Sequence, residues 1–481
     1  MSHDGDVHDL TAAGLARQIR DGDRSPVEVV DATLDRIAAR NDRTNAFVTV
    51  TDERAREAAR EAERVIEAGE PLGPLHGVPV AVKDLDDVAG VRTTSGSLLF
   101  DDRVAEENSV FVDRLLDAGA IVVGKTNTPE FGLGCWTHNR VAGETATPFD
   151  PDRISGGSSG GAGAALGDRL VPIAQGSDTG GSIRTPASCC GVVGVKPTYG
   201  RVAAPRRPDA YISHTPFSHL GPMARTVDDA ALMLEVMAGP HPKDPFSAPD
   251  DGTDFRAATD RSVDDMTVAY SPDLGAFPVE DDVREVVGDA VGAFEGAGAT
   301  VEEIEGPIDL SHDEVMDTYY TFATVLWESL FDTLEEEGLD PRGEDRDKLA
   351  ESTVETILDA ESVSTREYAA ANRKRTQVYD SLRETLAEYD LLVTPTLGVL
   401  PFENGDLPET VAGQAVDKRR GWLLTQPFNF SGHPVASVPA GFSDGLPVGM
   451  QVVGSRFAED DVLAGSAAFE RQRPWHDAYP E

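Results

Sequence analysis

The chain has 481 residues, 40% of them hydrophobic, enough for a real core in one large α/β domain or in two to three ordinary ones. Its 85 acidic against 42 basic residues give a formal charge of −43, which argues against nonspecific binding to nucleic acid or anionic membranes. The acidic residues run along the whole chain and lysine is scarce beside arginine, a pattern that fits adaptation to high salt, with an acidic interaction surface as the alternative.

Cys135, Cys189 and Cys190 cannot all pair and show no C-x-x-C spacing, so a reduced, cytoplasmic protein is expected. The N-terminal Met1-Ser2-His3-Asp4-Gly5-Asp6 has neither a basic nor an apolar leader region, and no run approaches the roughly 20 apolar residues of a membrane span. The ten histidines lack metal-site spacing, and no metal or organic cofactor is expected.

In chain order, Ser25-Pro26-Val27-Glu28 reads as a capping box, and Val30, Leu34 and Ile37 continue at helical spacing. A charged helix follows from Asp52 to Ala68, closing an N-terminal helical segment over residues 1–70. Strand-like runs come next at Val78 to Val82, Ile121 to Val123, Val192 to Val195, Met266 to Tyr270, Leu391 to Val393, Val435 to Val438 and Val448 to Val453. Amphipathic stretches lie between them at Ser109 to Ala118, Val227 to Met237, Val283 to Phe294 and Arg366 to Ala387. This alternation predicts an α/β fold, one domain over residues 1–481 with helices on both faces of a central sheet. Pro240 to Asp265 reads as a surface connection. The acidic helical segment within residues 305–388 is either a substrate-facing insertion or a solvated helical layer.

Two glycine-serine clusters carry the chemistry: Gly156-Gly157-Ser158-Ser159-Gly160-Gly161 and Asp178-Thr179-Gly180-Gly181-Ser182-Ile183-Arg184. The first fits the G-x-S-x-G elbow poorly, because the preceding Asp150 to Ser155 is polar and interrupted by proline, and it lacks the lysine of a phosphate-binding loop. In the second, the apolar run Leu170 to Ala174 would deliver Ser182 at the end of a strand, with small neighbours whose N–H groups could form an oxyanion hole. A serine nucleophile needs a base, yet no histidine lies between His138 and His214. Of the seven lysines, Lys83 ends the apolar run Gly77 to Val82, where burial would favour its neutral form; the alternative is a structural salt bridge with Asp84 or Asp86.

With Gly73 to Asp84, Gly124-Lys125-Thr126-Asn127, the two serine loops and Gly191 to Thr198 in this order and spacing, the chain resembles the amidase signature family. The likeness is strong from about Leu72 to Gly239, a signature core over residues 72–239, and returns at Pro434 to Gly441 and Gly445 to Gln451. It implies one amidase-signature domain with a mixed, mostly parallel sheet. It also implies an amidohydrolase that cleaves a carboxylic amide through an acyl-enzyme. By motif, the family's Ser-cisSer-Lys triad falls on Ser182 as nucleophile, Ser158 as bridging serine after a cis peptide and Lys83 as base, with separations of 24 and 75 residues. Thr179, Gly180, Gly181 and Ser182 would form the oxyanion hole, and Asp178, Arg184 and Ser159 would brace it.

Acyl selectivity is expected from Thr93 to Ser97, Trp136 and Glu328 to Ser364, with Cys135 as a small pocket or core residue and Cys189 and Cys190 as packing. The expected partner is a small amide substrate, with the chain a monomer or homodimer. The alternative is the glutaminase component of a tRNA-dependent amidotransferase, which would need partner subunits; Arg201 to Leu220 and Tyr319 to Thr324 do not look like that component.

Overall fold

The computed structural model describes residues 6–212, 214, 217–360 and 363–480. Residues 1–5, 213, 215, 216, 361, 362 and 481, on which parts of the readings above fall, lie outside the described residues.

Eleven strands among the described residues form one sheet: β1 (Phe47–Val50), β2 (Pro79–Lys83), β3 (Ile121–Thr126), β4 (Ile173–Asp178), β5 (Val193–Lys196), β6 (His219–Ala224), β7 (Thr267–Tyr270), β8 (Thr300–Glu303), β9 (Leu391–Pro395), β10 (Val435–Ser443) and β11 (Leu446–Gly454). Across the sheet they run β1-β3-β2-β4-β6-β5-β10-β11-β9-β7-β8. The sheet is mixed, with parallel pairing in two wings, β3-β2-β4 and β9-β7-β8, and antiparallel pairing between them and at β1.

Both faces are covered. Positions 449 and 454 of β11 point to opposite sides, the first onto Ser188 of the Arg184–Cys189 helix and the second onto Val462 of the Glu459–Gln472 helix. The seven predicted strand runs all become strands, lengthened or shifted by a few residues, except that Met266 to Tyr270 shortens to Thr267–Tyr270. The capping box at Ser25 forms, its hydroxyl accepting the Glu28 N–H while the Glu28 carboxylate accepts the Ser25 N–H, and Val30, Leu34 and Ile37 bury the helix face as the spacing requires.

Two departures matter for the site. The first 70 residues are not purely helical: β1 lies between their helices and pairs with β3 at the sheet edge. The strand before Ser182 begins at Ile173, because Pro172 interrupts the apolar run, and continues through Gln175, Gly176 and Ser177 to Asp178. Ser182 therefore sits on the turn after β4, two residues before the Arg184–Cys189 helix.

Candidate active site

Lys83 is the last residue of β2, flanked in parallel by β3 and β4, and its side chain is 0% exposed. Its amine lies 2.7 Å from Ser158 Oγ, 2.9 Å from Ser159 Oγ and 3.0 Å from Ser177 Oγ. Burial lowers its pKa to about 7, against smaller opposing pulls from Asp86 and Asp178. The salt bridge weighed for Lys83 is taken by another lysine: Lys125 pairs with Asp84 at 3.5 Å and donates to the Asp86 carbonyl at 2.7 Å. Ser177, the third hydroxyl at Lys83, is not marked by any motif in the sequence; it points where it does because β4 runs beside β2.

The peptide between Gly157 and Ser158 is cis. Ser159 leads into the buried Gly160–Gly167 helix, and its N–H donates to the Ser182 carbonyl at 3.1 Å, which ties the two loops together. Its hydroxyl donates to the Ser177 carbonyl at 3.3 Å. Asp150 to Ile154, too polar for an elbow strand, forms a separate two-stranded ribbon with Ala146–Thr147 instead of joining the main sheet.

Asp178 and Arg184 form an ion pair with neither side chain exposed to solvent. Burial works to raise the Asp178 carboxyl, but the Arg184 charge and hydrogen bonds outweigh it and hold the group well below the usual carboxylate range. Asp178 Oδ1 accepts the Gly181 N–H at 2.8 Å and Oδ2 the Ile183 N–H at 3.1 Å. This corrects the four-donor oxyanion hole: the Gly181 N–H is engaged by Asp178, which leaves Thr179, Gly180 and Ser182 as candidate donors. Gly181 has φ 123°, a conformation that favours glycine, and a Cβ on Gly180 would come within 2.5 Å of the Tyr319 hydroxyl.

Ser158, Ser182, Ser177, Thr179 and Gly180 open onto a cavity of about 300 Å³. Its outer wall comes from Tyr319, Trp327 and Leu330 of the His312–Glu336 helix, and Arg206 and Arg207 stand at its rim. Of the expected selectivity segments, Ser95 reaches the cavity from Thr93 to Ser97, and Ser329, Leu330 and Thr333 reach it from Glu328 to Ser364. Trp136 does not; Gly134 and Cys135 do, because Trp136 packs against the core. Burial raises the thiol pKa of Cys135, as it does for Cys189 and Cys190, so all three stay protonated.

A histidine also lies in the wall. His219, on β6, has Nδ1 3.0 Å from the Asp178 carbonyl and Nε2 3.3 Å from Lys196 Nζ. A carbonyl only accepts, so Nδ1 carries the proton and Nε2 is occupied by Lys196; burial pushes the ring well below its usual pKa and keeps it neutral. With both nitrogens engaged it has none to offer Ser182.

The site thus sets one buried amine against three serine hydroxyls, two of which, Ser158 and Ser177, line the cavity, on an α/β sheet. Residues 28–463 match the family model described as Amidase, and the chain belongs to that family: it is an amidase, a hydrolase of amide bonds. It is 37% identical to an acylamidase of Rhodococcus erythropolis over 98% of both chains. It is 34% identical to a glutamyl-tRNA(Gln) amidotransferase component of Carboxydothermus hydrogenoformans, over 99% of this chain and 100% of that one. The crystal structure of a bacterial aryl acylamidase of the amidase signature family superposes with a TM-score of 0.95 at 36% identity, covering 99% of this chain and 98% of the other. A 6-aminohexanoate cyclic dimer hydrolase in complex with substrate gives 0.87 at 30% identity, covering 98% of each. No helix of the described residues is long and apolar enough to cross a membrane.

Proposed function

We propose that Ser182 is the nucleophile, Ser158 the proton bridge and Lys83 the base of an amidohydrolase that converts a carboxylic amide to an acid plus ammonia or an amine. The observation that carries this reading is the Lys83 amine, buried, lowered to about 7 and set against serine hydroxyls instead of carboxylates. Neutral Lys83 takes the Ser158 proton as Ser158 takes that of Ser182, whose Oγ bonds to the carbonyl carbon. The N–H groups of Thr179, Gly180 and Ser182 face the developing oxyanion, each well-placed donor supplying roughly 3–4 kcal/mol. Return of the proton through Ser158 to the amide nitrogen breaks the C–N bond and leaves an acyl group on Ser182. Water then repeats the sequence and frees the acid. Asp178, Arg184 and Ser159 hold the loops and take no proton.

In this reading the 305–388 layer faces substrate through its first helix only, the remainder being a solvated cover. The enzyme works in the cytoplasm of a salt-adapted cell, where its acidic surface is screened. The second reading, the glutaminase component of a tRNA-dependent amidotransferase, draws on the 34% identity over 99% of the chain.

A panel of primary amides, anilides, glutamine and esters, scored for ammonia or amine by the purified chain alone, separates the two. Release from simple amides or anilides is expected, and Ser182→Ala should lower it about 10⁴-fold or more with the fold intact. Substantial turnover in that variant would move the nucleophile elsewhere. Glutamine as the sole substrate, cleaved only with added partners, would favour the second reading.

A further inference from the structure

Arg420 stands in the cavity wall, 7% exposed, and is not used by the chemistry above. Its guanidinium carbon sits 5.5 Å, 5.6 Å and 5.1 Å from the ring centroids of Tyr319, Tyr320 and Trp327. These rings hold a cation without neutralising it. Asp417, three residues away, commits Oδ1 to the Tyr320 hydroxyl at 2.6 Å and to the N–H groups of Arg419 and Arg420 at 3.0 Å and 2.9 Å. Among the described residues, the polar neighbours of the Arg420 guanidinium are the neutral Tyr319 and Tyr320 hydroxyls and the Cys135 thiol, and no carboxylate forms an ion pair with it.

The other buried arginines differ. Arg184 meets Asp178, Arg201 meets Glu459 and Asp251, and Arg225 donates to the Val171, His8 and Leu10 carbonyls. Arginine does not deprotonate, and an unneutralised buried charge is costly, so a cavity that keeps one is built for an anion. The rim agrees: Arg206, Arg207 and Arg420 stand against Asp86 and Asp209, a local basic excess in a chain with twice as many acidic as basic residues.

We propose, on the basis of the amidase reading, that the substrate amide carries a carboxylate and that Arg420 binds it. The planar guanidinium presents a donor fork that matches a carboxylate, and the aromatic frame around it excludes the water that would weaken the pair. The scissile bond is then fixed over Ser182 by a charge elsewhere on the same substrate.

The test pairs anionic and neutral amides of matched shape: succinanilate against pentananilide for the acyl side, and para-acetamidobenzoate against para-acetamidotoluene for the amine side. The expected result is that kcat/KM favours the carboxylate member of one pair by about tenfold or more, and the pair concerned tells which side of the amide Arg420 serves. In Arg420→Gln that ratio should collapse to within about threefold, chiefly through KM, whereas Arg420→Lys should keep part of it. If the glutamine variant does not fold, the wild-type ratios and the lysine variant decide. Neutral members preferred in both pairs, or a ratio untouched by Arg420→Gln, would overturn the proposal. Turnover of neutral anilides without any carboxylate preference defeats this inference alone; no amine from any anilide and no ammonia from any primary amide defeats the amidase reading beneath it.

Discussion

At Lys83, burial removes water from an amine whose neighbours are hydroxyls, so its charged form is disfavoured and its pKa falls from 10.5 to about 7. Activity should therefore rise with pH through about 7 as the base loses its proton, and a flat kcat/KM profile from about pH 6 to 8 would count against the assignment. Lys83→Met should lower kcat/KM by about 10²–10⁴-fold. Stability moves in the same direction as activity. Between about 7 and 10.5 the unfolded chain binds a proton at Lys83 that the folded chain does not, so the lysine's contribution grows less favourable as pH falls through that window and levels off below it. The melting temperature of the wild type relative to Lys83→Met should accordingly drop from pH 10 toward pH 7, and a constant difference would contradict the buried, lowered amine.

Among the elements, Arg184 is the common tie. It bonds Asp178 at the end of β4, the Thr425 carbonyl, Asn429 in the Gln426–Ser431 helix and Gln451 in β11, all without exposure to solvent. Arg184→Met should cost about 3–5 kcal/mol, because it strands the Asp178 carboxylate, and Arg184→Lys should not restore the loss, because one ammonium cannot span that fork. Chemical denaturation measures both, and a loss below about 1 kcal/mol would show that the pair is dispensable.

The same elements show what the sequence could reveal. Runs of branched apolar residues announced most interior strands, and the two glycine-serine clusters supply Ser158, Thr179, Gly180 and Ser182 to the cavity lining, with the Lys83 amine behind Ser158. β1 and β8 escaped because each is an edge strand of only four residues, and β8 has a single apolar residue, Val301. β6 escaped because Gly221 and Pro222 interrupt its pattern. Proline is tolerated there since β5 overlaps β6 only at Met223 and Ala224, so no neighbour on that side needs the missing N–H. Arg420 and His219 reach the cavity from distant segments, Arg420 from 238 residues beyond the nucleophile candidate Ser182, and no local motif marks such a meeting.

Over the whole molecule, the charge of −43 must be spread on a surface whose acidic residues outnumber the available cations. Most of the pairs that do form are between partly exposed side chains, such as Arg256 with Asp228 and Arg261 with Asp460, and contribute little singly. Self-repulsion is then the leading electrostatic effect at low salt, and screening should relieve it. The melting temperature should rise by about 5 °C or more between about 0.1 M and 3 M KCl. A value indifferent to KCl would remove the case for salt adaptation.

The three serines around Lys83 also set a proton count. A neutral amine has two hydrogens and one lone pair, so of three hydroxyls in contact at most two can accept and one must turn its hydrogen toward nitrogen. Ser159 has already given its hydrogen to the Ser177 carbonyl and can only accept. The lone pair therefore falls to Ser158 or Ser177, and when Ser177 accepts, Ser158 is left facing it. A proton arriving on Lys83 would then need the rotation of only one hydroxyl for all three serines to accept from it.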